Sequence, residues 1–412
     1  MADLPLQGLR VLDLSRVLAG PLCAQYLADM GAEVIKVEDL AQGDDSRTWP
    51  SFRTNAQGLS TSAVYLSANR NKRAVAIDLK TPEGLAVLDR LVAQADVVVE
   101  SFAPGVAQRL GVDAARLRSR HPRLVHCSIT GFGTQGPLQH GKGYDLILQA
   151  FTGMLAITGE PGTPPARSPF SPVDQGTGLH ALIGILAALL QRERTGAGCA
   201  VDTSLFDTAT GFLGYFLQNL WEQGKDPEKV GVGHGGLCPY GIFDTADKPI
   251  IIGVANDLLW QRFCAVTGLD AHPEAAALAR NATRVQQRAT TEWLVANVLK
   301  TRARGHWFEV LDAQGIPCSP VHALSEFAAH PHTLASGMVF SYDDPHFGAL
   351  NGVAQPVRFN GERLGLRRAP PLHGEHTREV LRELGLSEDD IDALVQRGAV
   401  KSVAPSGAEV VE

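Results

Sequence analysis

The chain has 412 residues, 44% hydrophobic and 20% charged, which suits a large buried core and excludes a disordered tail for most of its length. Lys plus Arg number 37 against 44 Asp plus Glu, a formal charge of −7 that gives no chain-wide attraction to nucleic acid or an anionic membrane. At roughly 150 residues per domain the length predicts two or three domains.

The opening GLRVLDLSRVLAGPLCAQYLADMGAEVIKVE reads as a strand over 10–14, a Gly-Pro break, a helical stretch to residue 30 and a strand over 33–37. Further strands are predicted over 74–79, 96–100 and 124–129, with helical segments over 82–95 and 106–119 between them. Strands alternating with helices imply an α/β fold: a Rossmann-like parallel sheet covered on both faces, with ligands beyond the carboxyl ends of the strands. An apolar helix over 178–192 is expected to be buried on all sides. A helical stretch over 204–224 and the glycine-dense VGVGHGGLCPYG come next, then a strand over 249–253 and a helix over 284–300. The chain closes with strand and loop over 352–360 and a helix over 377–384. The expected organisation is a large domain over 1–224, a smaller α+β domain over 225–320, and a segment over 321–412 returning to the first.

Cys23, Cys127, Cys199, Cys238, Cys264 and Cys318 lie far apart, with no CxxC pair and no metal-ligand spacing, so no metal site is expected and the thiols read as reduced. MADLPLQGLR has no cationic region leading into an apolar core, and no apolar run reaches the ~18 residues of a bilayer span. The expectation is a cytoplasmic protein with neither nucleic acid nor membrane as partner.

The first turn, SRVLAGP, lacks the GxGxxG of dinucleotide sites, and GxxxxGK[ST], HExxH and GxSxG are absent, so hydride transfer and nucleotide hydrolysis lose their support. The residue left to explain is Asp174, in SPVDQGTG before the apolar helix. An aspartate there is a helix cap or a nucleophile, and composition favours the cap by roughly three to one. Gly176 and Gly178 open space around the carboxylate for a ligand, which pulls the other way.

Seven blocks carry a resemblance: GLRVLDLSRVLAGP, GAEVIKVE, NRNKRAVAIDLKTPEG, ADVVVESFAPG, CSITGFGTQGP, SPVDQGTG and APPLHGEHTREVL. In this order, from Gly8 to Leu381, they resemble the family III CoA-transferases, which include formyl-CoA transferase. GDDSRTW, LSANRNKR and CSITGFG are most similar to the succinyl-CoA:glutarate type.

The resemblance implies coenzyme A and acyl-CoA as substrates, with no permanently bound cofactor. Asp174 matches the catalytic aspartate, which attacks the acyl-CoA thioester to give a mixed anhydride and then takes up the thiolate as an aspartyl-CoA thioester. Val17, Ala19, Ile77, Lys80, Phe102, Arg109, Leu110 and Lys142 match coenzyme A contacts. Trp49, Tyr144 and Asp145 fall near the acyl site, and Gly233, His234, Gly235 and Gly236 match a glycine loop that closes over it. A dicarboxylic acceptor needs a cation for its remote end, for which Arg47, Arg70 and Arg167 are the candidates in that order. The resemblance also implies an interlocked, ring-shaped homodimer. Leu18, Asp39 and Ser101 depart from the family pattern, where a glutamine, an arginine and an asparagine stand.

Two rival readings remain. A 2-methylacyl-CoA racemase needs a histidine where GYD places Tyr144, with His140 a few residues earlier. A non-catalytic acyl-CoA-binding protein would have no need of an unencumbered Asp174.

Overall fold

In the computed structural model, which describes residues 4–402, the chain divides into two compact units. Among these residues the larger comprises 4–152, Ser168–Gly214 and 334–402; the smaller comprises Gly153–Arg167 and Tyr215–Thr333.

The larger unit is built on six parallel strands: β1 (Arg10–Leu14), β2 (Glu33–Glu38), β3 (Lys72–Ile77), β4 (Val97–Glu100), β5 (Val125–Thr130) and β6 (Ala200–Ser204). Their order is 3-2-1-4-5-6, with Val400–Lys401 added antiparallel beside β3. The order reverses between β1 and β4, the switch point at which doubly wound sheets bind ligands. Register follows the apolar runs: Leu12 lies between Ile35 and Val98, all at most 1% exposed.

The helices follow from local chemistry. In α1 (Ala19–Asp29) every residue except Tyr26 is buried, so this helix is interior. In α2 (Pro82–Val92) the Thr81 hydroxyl accepts from Gly84 N, proline opens the first turn, and Val87, Leu88, Leu91 and Val92 form the buried stripe. The single helix expected over 106–119 is two, Val106–Leu110 and Ala114–Arg120, because Gly111 turns left-handed at φ 71° and Asp113 caps the second. The stretch over 204–224 likewise breaks into Leu205–Phe212 and Gly214–Gln223. Strand β6 has no counterpart in the sequence reading. AVDTS is a polar edge strand that lacks the apolar run by which its neighbours are recognised.

Between these lie α3 (Asp145–Phe151), α4 (Pro172–Thr195) and α5 (Leu205–Phe212). Helix α4 begins six residues before the expected start and is not buried all round. Ala181, Leu182, Ile185, Ala188 and Leu189 face inward, whereas Leu179, Ile183 and Leu190 are 42%, 62% and 65% exposed. Contrary to the sequence expectation, α4 is long and apolar enough to cross a membrane by length and composition; half of its apolar window is buried within the protein. Gly178 lets α4 pass against α1, since a β-carbon there would fall 2.6 Å from the carbonyl oxygen of Ala19.

The smaller unit holds an antiparallel sheet of β7 (Tyr240–Phe243), β8 (Ile250–Gly253) and β9 (Cys318–Pro320), with β8 in the centre. Trp260, Phe263, Leu294, Leu299, Trp307 and Leu311 from three helices pack with this sheet as its core.

Candidate active site

Asp174 is the third residue of α4, and it caps nothing. The residue before the helix, Ser171, sits left-handed at φ 51° and makes no side-chain cap. The cap comes from another helix: Oδ2 of Asp145, the first residue of α3, accepts from Val173 N at 2.8 Å and Asp174 N at 3.1 Å. Asp145 is itself held by Gln149 Nε2. The amides of a helix's first turn normally stabilise an acid located there. Here Asp145 takes two of them, and the Asp174 carboxylate accepts no hydrogen bond from any described residue. Burial, followed by the negative charge of Asp145, pushes the Asp174 carboxyl up to about 7. A half-buried, unpartnered carboxylate that ionises near neutrality has the makings of a nucleophile.

Glycines create the approach. A β-carbon on Gly176 would lie 2.3 Å from the Phe212 ring, so α5 closes on α4 two residues beyond Asp174. A β-carbon on Gly131 would lie 2.5 Å from Gly143 N, which brings the GFG turn after β5 against the segment that leads into Asp145. The loop after β1 ends where Ala19 meets Gly178. Within it Val17 stands at φ 71°, a strained position for a β-branched residue.

The residues matched to coenzyme A contacts fall mainly on the loops at the carboxyl ends of the strands. Ala19 opens α1 and Lys80 is exposed after β3. Phe102 follows β4 with its N–H on Glu100 Oε2 at 2.8 Å, Leu110 packs on the core, and Arg109 and Lys142 are exposed. The Ile77 side chain, 1% exposed, belongs to the core. Trp49 and Tyr144 are 41% and 63% exposed.

The three candidate arginines differ sharply. Arg47 is fixed on Glu38 by two hydrogen bonds of 2.8 Å, bonds Tyr65 Oη and Pro371 O, and lies 3.6 Å from the centre of the Tyr65 ring. Arg70 is bidentate on Asp29 at 3.0 and 2.6 Å and also reaches Val353 O. Arg167 is exposed and makes no ion pair with any described residue. In the smaller unit, the carbonyls of His234, Gly235 and Leu237 accept from Arg288 Nη2, and Gly236 N donates to His234 Nδ1 at 3.1 Å. His140 is exposed.

The departures have structural work. Ser101 Oγ accepts from Arg16 N at 3.1 Å, and Asp39 Oδ1 accepts from Ala41 N and Gln42 N, closing the turn after β2. Leu18 is the non-helical residue preceding α1. Among the described residues no cluster of His, Cys, Asp and Glu could hold a metal ion. A cavity of about 360 Å³ lies at the amino ends of β1, β2 and β3, remote from Asp174, where Glu33, Glu379 and Glu383 already neutralise Arg73.

Sequence reasoning missed a group of charges beneath the first loop. Lys36 and Lys72, both 0% exposed, sit with Asp13 and Asp44: Lys72 Nζ is 2.9 Å from Asp13, and Lys36 Nζ is 2.8 Å from Asp44. Lysine and aspartate inside otherwise apolar strands were the available signal.

The 3-2-1-4-5-6 sheet carries an unpartnered carboxylate at its loop end, and its first turn has no glycine fingerprint for a dinucleotide. Residues 6–377 match CoA-transferase family III, and the chain belongs to that family: it is a CoA-transferase acting on CoA thioesters and carboxylic acids. A succinate–glutarate CoA-transferase of Agrobacterium fabrum is 37% identical over 382 residues, covering 92% of this chain and 96% of the relative. The human succinyl-CoA:glutarate CoA-transferase is 33% identical over 399 residues, 96% and 90% of the two chains. The crystal structure of a CAIB/BAIF family protein from Brucella suis superposes with a TM-score of 0.84 at 36% identity, covering 93% of this chain and 100% of that one.

Proposed function

We propose that the enzyme moves coenzyme A from succinyl-CoA to a short dicarboxylic acid, with Asp174 as the nucleophile. Support for the substrates comes from the relatives named for succinate and glutarate. The observation that carries the mechanism is the Asp174 carboxylate, uncapped, unpartnered and pushed up to about 7.

In the first step an Asp174 oxygen attacks the thioester carbonyl, the C–S bond breaks, and a mixed succinyl-aspartyl anhydride and CoA thiolate result. The thiolate attacks the aspartyl carbonyl, expelling succinate and leaving aspartyl-CoA thioester. A carboxylate of the acceptor displaces the thiolate to form a second anhydride, whose acyl group the thiolate then removes, restoring Asp174. Each step exchanges one activated acyl bond for another, so no ATP is consumed. Water excluded from the site protects both intermediates from hydrolysis.

Val17, Ala19, Lys80, Phe102, Arg109, Leu110 and Lys142 are the proposed coenzyme A contacts, the cations meeting its phosphates. Ile77, sealed in the core, has only its backbone to offer. Arg47 and Arg70 are already held by the buried carboxylates of Glu38 and Asp29, so the remote carboxylate of the acceptor needs a cation free of such a partner. A homodimer is the proposed assembly, and the apolar stripe of Leu179, Ile183 and Leu190 on α4 supports it.

The test incubates the protein with succinyl-CoA and a panel of carboxylic acids and separates the CoA products by mass. A new dicarboxylyl-CoA, together with a hydroxylamine-sensitive adduct on Asp174 that D174A lacks, is expected. Transfer at the native rate by D174A would end the reading.

A further inference from the structure

The loop that joins β1 to α1 forms no regular structure, yet side chains hold its backbone group by group. Ser15 N donates to Asp13 Oδ1 at 3.0 Å, and the Ser15 carbonyl accepts from Lys36 Nζ at 2.9 Å. Arg16 N donates to Ser101 Oγ, and Val17 N donates to Asp44 Oδ1, each at 3.1 Å. A β-branched residue at φ 71° persists only where its surroundings over-determine it, and such strain collects at ligand sites.

The acceptor under Val17 is itself fixed. Asp44 N donates to Glu38 Oε1 at 2.9 Å, while Asp44 Oδ1 also accepts from Ser46 N at 2.9 Å and Ser46 Oγ at 2.7 Å. Its second oxygen lies 2.8 Å from Lys36 Nζ, and the next cation, Lys72, is tied to Asp13, Pro21 O and Asn69. Replacing a buried ion pair by apolar side chains is commonly neutral or stabilising, so stability alone is a weak reason for four buried charges under one loop. Orientation is a better reason. An apolar side chain has no way to hold an N–H group at a chosen angle.

We propose that Asp44 is a positioning residue for the acyl-CoA site: through Val17 N it locks the strained first loop in the shape that receives the donor thioester, and Lys36 locks Asp44. The inference rests on the reading of this loop as part of the coenzyme A site. It adds a residue that has no contact with the ligand.

The experiment measures steady-state kinetics of the full-length enzyme with succinyl-CoA and its best acceptor, and calorimetric binding of CoA itself. The variants are D44N, S101A, the double variant V17G/D44N, and D96N as a control for lost stability. Asp96 pairs with Arg192 at the amino end of β4, away from the loop. Asp44→Asn keeps an oxygen for Val17 N but removes the charge and the Lys36 pair that fix it, and is expected to raise the succinyl-CoA KM and the CoA Kd about tenfold, while kcat and acceptor KM stay within about threefold. S101A is expected to raise both CoA constants by a smaller factor. Glycine adopts a positive φ unaided, so V17G/D44N should recover part of the lost affinity. A purely structural role for Asp44 predicts no recovery, and predicts D96N to behave like D44N at equal loss of Tm. A folded D44N with unchanged CoA constants overturns the inference, and so does a D96N that matches D44N at equal loss of Tm. If D44N does not fold, unchanged constants in S101A overturn it. A wild-type protein that binds no CoA would instead remove the reading of the site.

Discussion

Asp174 should cost the protein stability wherever it is ionised. Its folded-state carboxyl titrates at about 7, against an ordinary 3.8. Between those values the folded chain binds more protons than the unfolded one, so its contribution falls as pH rises from about 4 through 7 and is at its worst above 8. The difference converts to a ceiling of ~4 kcal/mol at ~1.36 kcal/mol per pKa unit. Partial exposure of the side chain reduces this to ~1–3 kcal/mol, because water screens a charge that it can reach. Asp174→Asn keeps the shape and removes the titration. Thermal or urea unfolding of both proteins at pH 5 and pH 8.5 isolates the effect, since every other group titrates in both. D174N should be more stable than wild type by ~0.5–1 kcal/mol at pH 5, where a little over a third of the effect is already present, and by ~1–3 kcal/mol at pH 8.5, a Tm gap of a few degrees. Its transferase activity should be lost at both. A stability gap that is the same at both pH values would refute the burial argument, and with it the account of why this carboxylate reacts.

Other outcomes follow from neighbouring groups. Asp145→Asn removes the negative charge that helps to raise Asp174, so the rising limb of the kcat/KM profile should move toward acid pH; stopped-flow assays from pH 5 to 8.5 check it. Arg47→Ala leaves Glu38 buried and uncompensated and should cost ~3–5 kcal/mol in denaturant unfolding. Gly178→Ala pushes a methyl onto the Ala19 carbonyl and should cost ~1–3 kcal/mol, measured in the same way.

The parallel strands were legible because burial on both faces demands unbroken apolar runs, and RVLDL, EVIKVE and VVVE supply them. β6 was not, because Asp202 and Thr203 on a sheet edge interrupt any such run. Helix breaks were visible as glycines but not as turns: Gly111 has the same letter as Gly184, which sits inside α4, and only the fold gives the first φ 71°. The apolar length of α4 was legible while its exposure was not, since composition is blind to which neighbours exist.

At Asp174 composition alone leans toward a cap, the resemblance points to a nucleophile, and the structure shows no cap made by this residue. A cap is a local device, judged from the residues beside a helix start, and by that measure Asp174 was well placed. The structure hands the cap to Asp145, 29 residues earlier in the chain and on another helix. That exchange suits the proposed chemistry. Had Asp174 spent its oxygens on Val173 and its own neighbours, the helix amides would have lowered its pKa and tied down its carboxylate. Capping from a distance leaves the helix satisfied and the carboxylate free, and the second negative charge raises the first one's energy in the ground state. A long-range contact of this kind has no signature within SPVDQGTG: the resemblance could single out Asp174, but only the fold supplies the partner that relieves it of the capping task.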